Sequence, residues 1–92
     1  MGTLLALAYT EAALKALVEV EPKKVRRQIK ARIEKLAADP KPPGCTKMLG
    51  SRADGLNEVY RVRQGDYRVI YSIRGETEVA VLDIGHRKDI YR

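Results

Sequence analysis

The sequence has few of the residues that usually mark a protein's class. It contains one cysteine, Cys45, and neither tryptophan nor phenylalanine. A single thiol excludes an intramolecular disulfide, and its Pro/Gly-rich surroundings favour a structural loop residue over a nucleophile. We therefore expect a reducing, cytoplasmic location. No apolar run approaches the roughly 20 residues that span a membrane, and the opening MGTLLALAYT lacks the basic region of a signal peptide.

Acidic residues are scarce relative to basic ones. Eighteen Lys and Arg against twelve Asp and Glu leave a formal net charge of +6, which favours an anionic partner, most commonly nucleic acid. A membrane surface is the competing partner, but no predicted helix combines a bulky apolar face with aromatic anchors. The hydrophobic fraction of 45% suffices for a packed core, so residues 1–92 are expected to form a single domain.

Apolar spacing predicts a strand and then two helices. The run from Thr3 to Ala8 fits a first strand, and Thr10 is placed to cap the first helix. Pro22 suits the first turn of a second helix, which ends before Pro40. The apolar face of the first helix consists of Ala13, Leu14, Leu17 and Val18. That of the second consists of Val25, Ile29, Ile33 and Leu36.

The remaining chain predicts three further strands joined by tight turns, after a stiff Pro-rich loop at Asp39–Gly44. The expected fold is α+β with the order β-α-α-β-β-β, in which two helices pack on one face of a small, mostly antiparallel four-stranded sheet. The second helix also has a strongly cationic face, which is either a nucleic-acid interface or a solvated surface. It comprises Lys23, Lys24, Arg26, Arg27, Lys30, Arg32 and Lys35.

The stretch YRVRQGDYRVIY, residues 60–71, places three arginines in two strands around a Gly-Asp turn. Because side chains alternate along a strand, Arg61 and Arg63 share one face, and Arg68 falls on the same side of the next strand. The other face is expected to support the helices with Tyr60, Val62, Val69, Tyr71, Ile73, Ala80, Leu82 and Ile84. The arginines then lie on the free face, as a site for a phosphate or carboxylate, unless Asp66 and Asp83 neutralise them.

Four segments together resemble the RelE branch of the RelE/ParE toxin superfamily: PPG, KMLG, YRVRQGDYRVIY and IGHRKDIYR. The resemblance covers nearly the whole chain and implies a RelE-like toxin of a type II toxin–antitoxin pair. Such a toxin enters the ribosomal A site and cuts mRNA without metal or cofactor. The ribose 2′-OH attacks the adjacent phosphodiester and leaves a 2′,3′-cyclic phosphate. The implied partners are the ribosome, mRNA and a RelB-like antitoxin, with a toxin–antitoxin heterotetramer as one assembly.

The resemblance also implies roles for individual residues. Arg61 and Arg63 match a basic pair on a strand, one member of which is proposed to help deprotonate the 2′-OH. Arg68 matches the arginine that stabilises the phosphorane-like transition state. Arg87 matches an arginine near the leaving oxygen, and Tyr91 matches a tyrosine that stacks on a base.

Further basic residues are candidates for RNA or ribosome binding. Lys47, in the predicted loop before the second strand, matches a residue that contacts RNA, and Arg52 and Lys88 are added on their charge.

The identity of the general base is a separate question. In the best-known member of the family, the two residues that match Arg61 and Arg63 are lysines, whereas arginine, with a pKa of roughly 12.5–13.8, is a poor general base. We therefore hypothesise that His86, the single histidine, acts as acid or base; the alternative is a hydrogen-bonded turn residue.

Two other functions compete with mRNA cleavage. A ParE-like toxin would have the same fold but would inhibit DNA gyrase and cleave no RNA. A non-toxic RNA-binding module would keep the charge and lose the turnover. The combination of the strand arginines with Arg87 and Tyr91 favours the nuclease, because gyrase inhibitors typically lack part of this set.

Overall fold

The computed structural model describes residues 4–48, 55 and 57–86. In these ranges two helices pack on one face of a five-stranded sheet. The elements are β1 (Ala6–Tyr9), α1 (Glu11–Glu19), α2 (Lys23–Leu36), β2 (Thr46–Met48), β3 (Val59–Gln64), β4 (Tyr67–Arg74) and β5 (Glu78–His86). The strand order is β1-β5-β4-β3-β2, with β1 parallel to β5 and the other neighbours antiparallel. The predicted α+β architecture is confirmed, with one strand more than the four expected.

The additional strand is β2, which the sequence pattern placed in a loop. Its three residues pair antiparallel with β3, with Lys47 opposite Tyr60. A segment this short carries too few residues for an alternation signal. The extended conformation of β2 depends on its backbone pairing with β3. Lys47 is consequently a strand residue and not the loop residue that the sequence predicted.

The core lies between the helices and the sheet. On α2 the predicted stripe is confirmed, because Ile29, Ile33 and Leu36 are buried. On α1 the predicted apolar stripe is wider than the part of the helix that packs against the sheet, because Ala13 is buried but Leu14 and Val18 are exposed. A nine-residue helix packed on β5 turns only part of its apolar surface inward.

Strand β5 contains a β-bulge that changes which residues face the helices. The β4 register pairs Ile70 with Asp83 but Tyr71 with Val81, so Leu82 is the extra residue. A bulge reverses the inside–outside alternation beyond it. Val79 and Val81 therefore join the core beneath the helices, and the prediction that Ala80 and Leu82 face them is wrong. Ile84 lies in the core as predicted.

Thr10 connects α1 to the bulge. Its hydroxyl accepts a hydrogen bond from the Ala13 N–H at 3.1 Å, which is the predicted N-cap, and donates one to the Leu82 carbonyl at 2.8 Å. Its own N–H donates to the carbonyl of Val81. One residue thus fixes both the start of α1 and the irregular part of β5.

Candidate active site

Three arginines occupy one end of the sheet, on the face that we name the arginine face, which carries Arg61, Arg63 and Arg68. The β3–β4 register places Arg63 directly opposite Arg68, and Arg61 opposite Ile70. Directly opposed side chains have Cβ atoms about 4.5–5.5 Å apart, and diagonal neighbours about 7–8 Å apart. The predicted clustering of the three cations on one face is therefore what the register produces.

The centre of the arginine face is apolar and buried, so the expectation of a free face holds only for its end. Val59, Ile70 and Ala80 are each at most 2% exposed, and Ser72 beside them is fully buried. The arginines differ correspondingly: Arg63 is exposed, Arg61 is half-buried and Arg68 is only 7% exposed. An anion therefore has direct access to Arg63, while Arg68 is held by its surroundings.

Asp83 is an acidic residue that the register brings close to the arginine end of this face. It lies opposite Ile70, diagonal to Arg68 across β4 and β5. Its carboxylate accepts a hydrogen bond from the Ile84 N–H at 2.8 Å. Asp66 lies in the turn that joins β3 to β4, at the same end of the sheet. Three guanidinium groups against these two carboxylates keep the end of the face cationic.

His86 is not brought to the arginine face. It is opposite Tyr67 in the β4–β5 register, and both side chains lie on the helix face. The two rings meet edge to face, with centroids 5.4 Å apart and an interplanar angle of 82°. They line two clefts that α1 and the start of α2 bound. The sheet therefore lies between the His86 ring and the side chains of the arginine face.

Lys47 also lies on the helix face, since it is opposite Tyr60 at the sheet edge. Its ammonium group forms an ion pair with Glu58 at 3.0 Å, and the second Glu58 oxygen accepts a hydrogen bond from the Tyr60 hydroxyl at 2.9 Å. The bond from Lys47, followed by that from Tyr60, lowers the pKa of Glu58. The sequence did not identify Glu58 as the partner, because β2 was not predicted.

Four other predicted site residues cannot be placed. Arg52, Arg87, Lys88 and Tyr91 lie outside the described residues. The last described residue of β5, His86, follows Gly85, which is opposite Arg68. The chain therefore leaves β5 next to the arginine end of the sheet.

The chain is similar to a family of toxins and to chains of solved RelE–RelB complexes. Residues 5–91 match a family model described as ParE toxin of type II toxin–antitoxin system, parDE. A chain of the archaeal RelE–RelB complex from Pyrococcus horikoshii OT3 is 27% identical with a TM-score of 0.77, over 95% of this chain and 99% of that one. A chain of the RelB–RelE complex from Methanococcus jannaschii is 25% identical with a TM-score of 0.65, over 91% and 94%.

A further solved structure supports the fold alone. A chain of the RelBE2 toxin–antitoxin complex from Mycobacterium tuberculosis is 22% identical with a TM-score of 0.76, over 92% of this chain and 100% of that one. A search of curated proteins found no match. No helix in the described ranges is long and apolar enough to cross a membrane.

Proposed function

This chain belongs to the ParE toxin family, within the RelE/ParE superfamily of type II toxin–antitoxin toxins, and we propose that it is a ribosome-dependent mRNA endonuclease. The observation that carries the proposal is the placement of Arg61, Arg63 and Arg68 at one end of a single sheet face. This end has the charge that a phosphodiester requires. The likeness to chains of RelE–RelB complexes supports the same branch.

The arginine face is suited to stabilising a phosphoryl transition state. When a 2′-OH attacks the adjacent phosphate, negative charge develops on the non-bridging oxygens. A guanidinium already held in place stabilises that charge without reorganising, an effect worth about 10²–10³ in rate. Arg68, which is nearly buried, supplies such a preorganised group, and the exposed Arg63 provides the first contact for the incoming RNA.

We propose that Arg61 and Arg63 act by charge rather than as bases. A guanidinium is a poor base, but a nearby cation stabilises the ribose alkoxide and so lowers the pKa of the 2′-OH. The roles of Arg87 near the leaving oxygen and Tyr91 as a stacking platform are retained from the family resemblance. Arg52, Lys47 and Lys88 are proposed as contacts to RNA or the ribosome.

Induction of the toxin in cells, followed by mapping of mRNA 5′ ends, tests the proposal. Cuts positioned by codon within translated messages support it, and intact messages in arrested cells overturn it. Arg63→Ala should abolish the cuts, and Arg68→Gln, which removes the positive charge but keeps an unbranched polar side chain, should do so as well. The matched control is Arg74→Ala, because Arg74 lies on the same face at the opposite end of β4, paired with Glu78.

His86 has its own test. Its position on the helix face against Tyr67 leads us to expect that His86→Gln retains single-turnover cleavage on programmed ribosomes within about threefold, since a general acid or base contributes about 10²–10⁴. A loss in that larger range, with unchanged thermal stability, would restore the acid–base hypothesis.

Gyrase inhibition is the second candidate, because the matching family model is that of the ParE toxins. The induction experiment separates the two functions. A gyrase inhibitor leaves messages intact and accumulates gyrase-linked DNA breaks, and cells that carry a resistant gyrase survive it. An RNA-binding module without turnover produces neither effect.

The proposed partners follow from the same family. An antitoxin of the RelB type is expected to bind and neutralise the chain, because the similar solved structures are complexes of that kind. Ribosome and mRNA are the proposed targets in the cytoplasm. A heterotetramer of two toxins and two antitoxins is the assembly that we expect from co-purification.

A further inference from the structure

The β-bulge in β5 determines on which face of the sheet Asp83 lies. Val79 and Val81 lie in the core under the helices, so a regular strand would place Asp83 there as well, because side chains alternate with a period of two. Leu82 is the inserted residue, and beyond it the register pairs Asp83 with Ile70, on the arginine face. Bulges next to active sites commonly redirect a side chain in this way. The irregularity of β5 thus gives the arginine face a carboxylate.

The start of α1 holds the bulge in place. The Thr10 N–H donates to the Val81 carbonyl, and the Thr10 hydroxyl donates to the Leu82 carbonyl at 2.8 Å. Immediately after the bulge, the Asp83 carboxylate accepts a hydrogen bond from the Ile84 N–H, also at 2.8 Å. The backbone before Asp83 and its side chain are therefore both fixed, which limits the reorganisation that a proton-accepting group would need.

Asp83 and Arg68 are spaced so that both can contact one ribose–phosphate linkage. They are diagonal neighbours across β4 and β5, and such pairs have Cβ atoms about 7–8 Å apart, within reach of long side chains. Gly85, which is opposite Arg68 and follows Asp83 on the same face, adds no side chain beside them. When the guanidinium contacts the non-bridging phosphate oxygens, the carboxylate can therefore reach the neighbouring 2′-OH.

Asp83 also has the chemistry that the arginines lack. Carboxylates serve as general bases, whereas a guanidinium is a poor one, and the ring of His86 is on the other side of the sheet. The residue is half-buried, so part of it stays accessible to a substrate. Its bond to the Ile84 N–H uses one carboxylate oxygen, and the second oxygen can still accept a proton.

We propose that Asp83 is the general base that takes the proton from the 2′-OH; the inference rests on the proposed endonuclease function. As the proton passes to the second oxygen of Asp83, the 2′ oxygen forms a bond to phosphorus, and the bond between phosphorus and the 5′ oxygen breaks. The leaving 5′ oxygen takes up a proton from water, and Asp83 returns its own proton to water. Arg68 stabilises the negative charge that develops on the non-bridging oxygens.

Two other roles for Asp83 lead to different results. If the carboxylate only neutralises part of the charge of Arg68, its removal should strengthen RNA binding and leave the cleavage rate equal or higher. If it only supports the bulge through the Ile84 N–H, its removal should lower thermal stability, and the cleavage rate should fall only in step with the loss of folded protein. A general base differs from both, because its removal lowers the rate of the chemical step in a folded protein that still binds its substrate.

Single-turnover cleavage of mRNA on programmed ribosomes by the full chain tests the inference. Asp83→Asn removes the basic oxygen but keeps an acceptor for the Ile84 N–H, so its thermal stability and its affinity for the ribosome should be unchanged. Its cleavage rate should fall about 10²–10⁴-fold, the contribution of a general base. The matched control is Glu78→Gln, which neutralises a carboxylate on the same strand and face at the opposite end, where Glu78 pairs with Arg74. This control should cleave as the unmodified chain does.

A second variant separates a base from a fixed negative charge. Asp83→Ala removes the carboxylate and leaves a space that formate can enter. Because formate supplies a carboxylate base of the same chemistry, its addition should raise the cleavage rate of Asp83→Ala at least about tenfold, a part of what a general base contributes. Chloride at the same concentration should not raise that rate, and formate should not accelerate the unmodified chain.

The outcomes separate the role of Asp83 from the function of the chain. If the unmodified chain cuts mRNA and Asp83→Asn cuts it as fast or faster, Asp83 is not the base and the endonuclease function stands. If the rate of Asp83→Asn falls only with its stability, or if formate leaves Asp83→Ala inactive, the inference is likewise overturned. If the unmodified chain cuts no message on the ribosome, the proposed function fails, and the role of Asp83 fails with it.

Discussion

Arg63 and Arg68 face each other across two neighbouring strands, and like charges in that position destabilise a sheet by about 0.2–1 kcal/mol. The phosphate site that we propose here would offset this cost by its function. We therefore predict that Arg63→Thr raises the free energy of unfolding by about 0.2–1 kcal/mol in low salt, while it abolishes cleavage. Denaturant unfolding at low and high salt checks this, because salt screens the repulsion between the two arginines and should reduce the increase in unfolding free energy. Equal or lower stability in the variant would show that the repulsion is already relieved.

Tyr71 couples the core to the Pro-rich loop. Its side chain is fully buried and its hydroxyl donates to the Pro40 carbonyl at 2.6 Å. Burial, aided by the neighbouring Cys45, raises the pKa of Tyr71 well above the ordinary value of 10.0. A raised pKa stabilises the protein below the unfolded-state pKa, and this contribution is lost as the pH rises above about 10, where only the unfolded state releases the proton.

Tyr71→Phe should therefore cost about 0.5–1.5 kcal/mol at neutral pH through the lost hydrogen bond. Above pH 10 the difference from the unmodified chain should shrink. Thermal unfolding from pH 7 to 11 measures both effects. Tyr60→Phe keeps Tyr71 and should keep the alkaline fall in stability; a fall of the same size in Tyr71→Phe would contradict the assignment.

Among the elements, the turn between β4 and β5 contains a strained residue. Gly75 and Glu76 both have positive φ, 57° and 59°, and the Thr77 N–H donates to the Arg74 carbonyl. Glycine adopts this conformation freely, whereas glutamate does so at a cost of about 1–2 kcal/mol. Glu76→Gly is predicted to raise the unfolding free energy by about 0.5–1 kcal/mol. Glu76→Ala, which keeps the strain, should leave it unchanged, and calorimetry of the pair provides the measurement.

The start of α1 offers a second prediction at this scale. Thr10→Ala removes both the N-cap and the hydroxyl bond to Leu82, so we expect a loss of about 1–2 kcal/mol. Thr10→Ser keeps both bonds and should lose less than half as much. Chemical denaturation of the two variants distinguishes this double role from a simple packing effect, for which Ser and Ala would cost the same.

Sequence patterns identified the elements that depend on local chemistry. The structure contains the apolar stripe of α2, the Thr10 N-cap and the shared face of Arg61 and Arg63. The stripe and the shared face follow from the periods of a helix and a strand, and the cap follows from the side chain of one residue. The bulge at Leu82 was missed, because an inserted residue leaves the composition of a strand unchanged. The short β2 was missed as well, because its order derives from β3.

The candidate site was predictable only where the strand pattern determined it. The arginines share a face because both strands are regular on that side. The burial of Arg68 was not predictable, since it depends on tertiary packing around the middle of the sheet. Nor was the separation of His86 from the arginines, since adjacency in sequence to Gly85 says nothing about which face a ring occupies.

For the whole molecule, stability should be graded from the centre of the sheet outward. Among the described strands, β4 lies between β3 and β5, whereas β1 and β2 are outermost. Amides that open only by global unfolding are expected in β4, and those of β2, with three residues, should exchange fastest among the strands. Native-state hydrogen exchange followed by mass spectrometry tests this order. Protection of β2 equal to that of β4 would mean that the edge is closed by further structure.

The pairing of β1 with β5 also sets a time order during synthesis. Ala6–Tyr9 emerge from the ribosome first among the described strands, yet their hydrogen-bonding neighbours are Glu78–Val81 in the last one. Contacts between such distant parts of a chain form late. The sheet therefore cannot be completed during synthesis until β5 has followed the other four strands out of the ribosome.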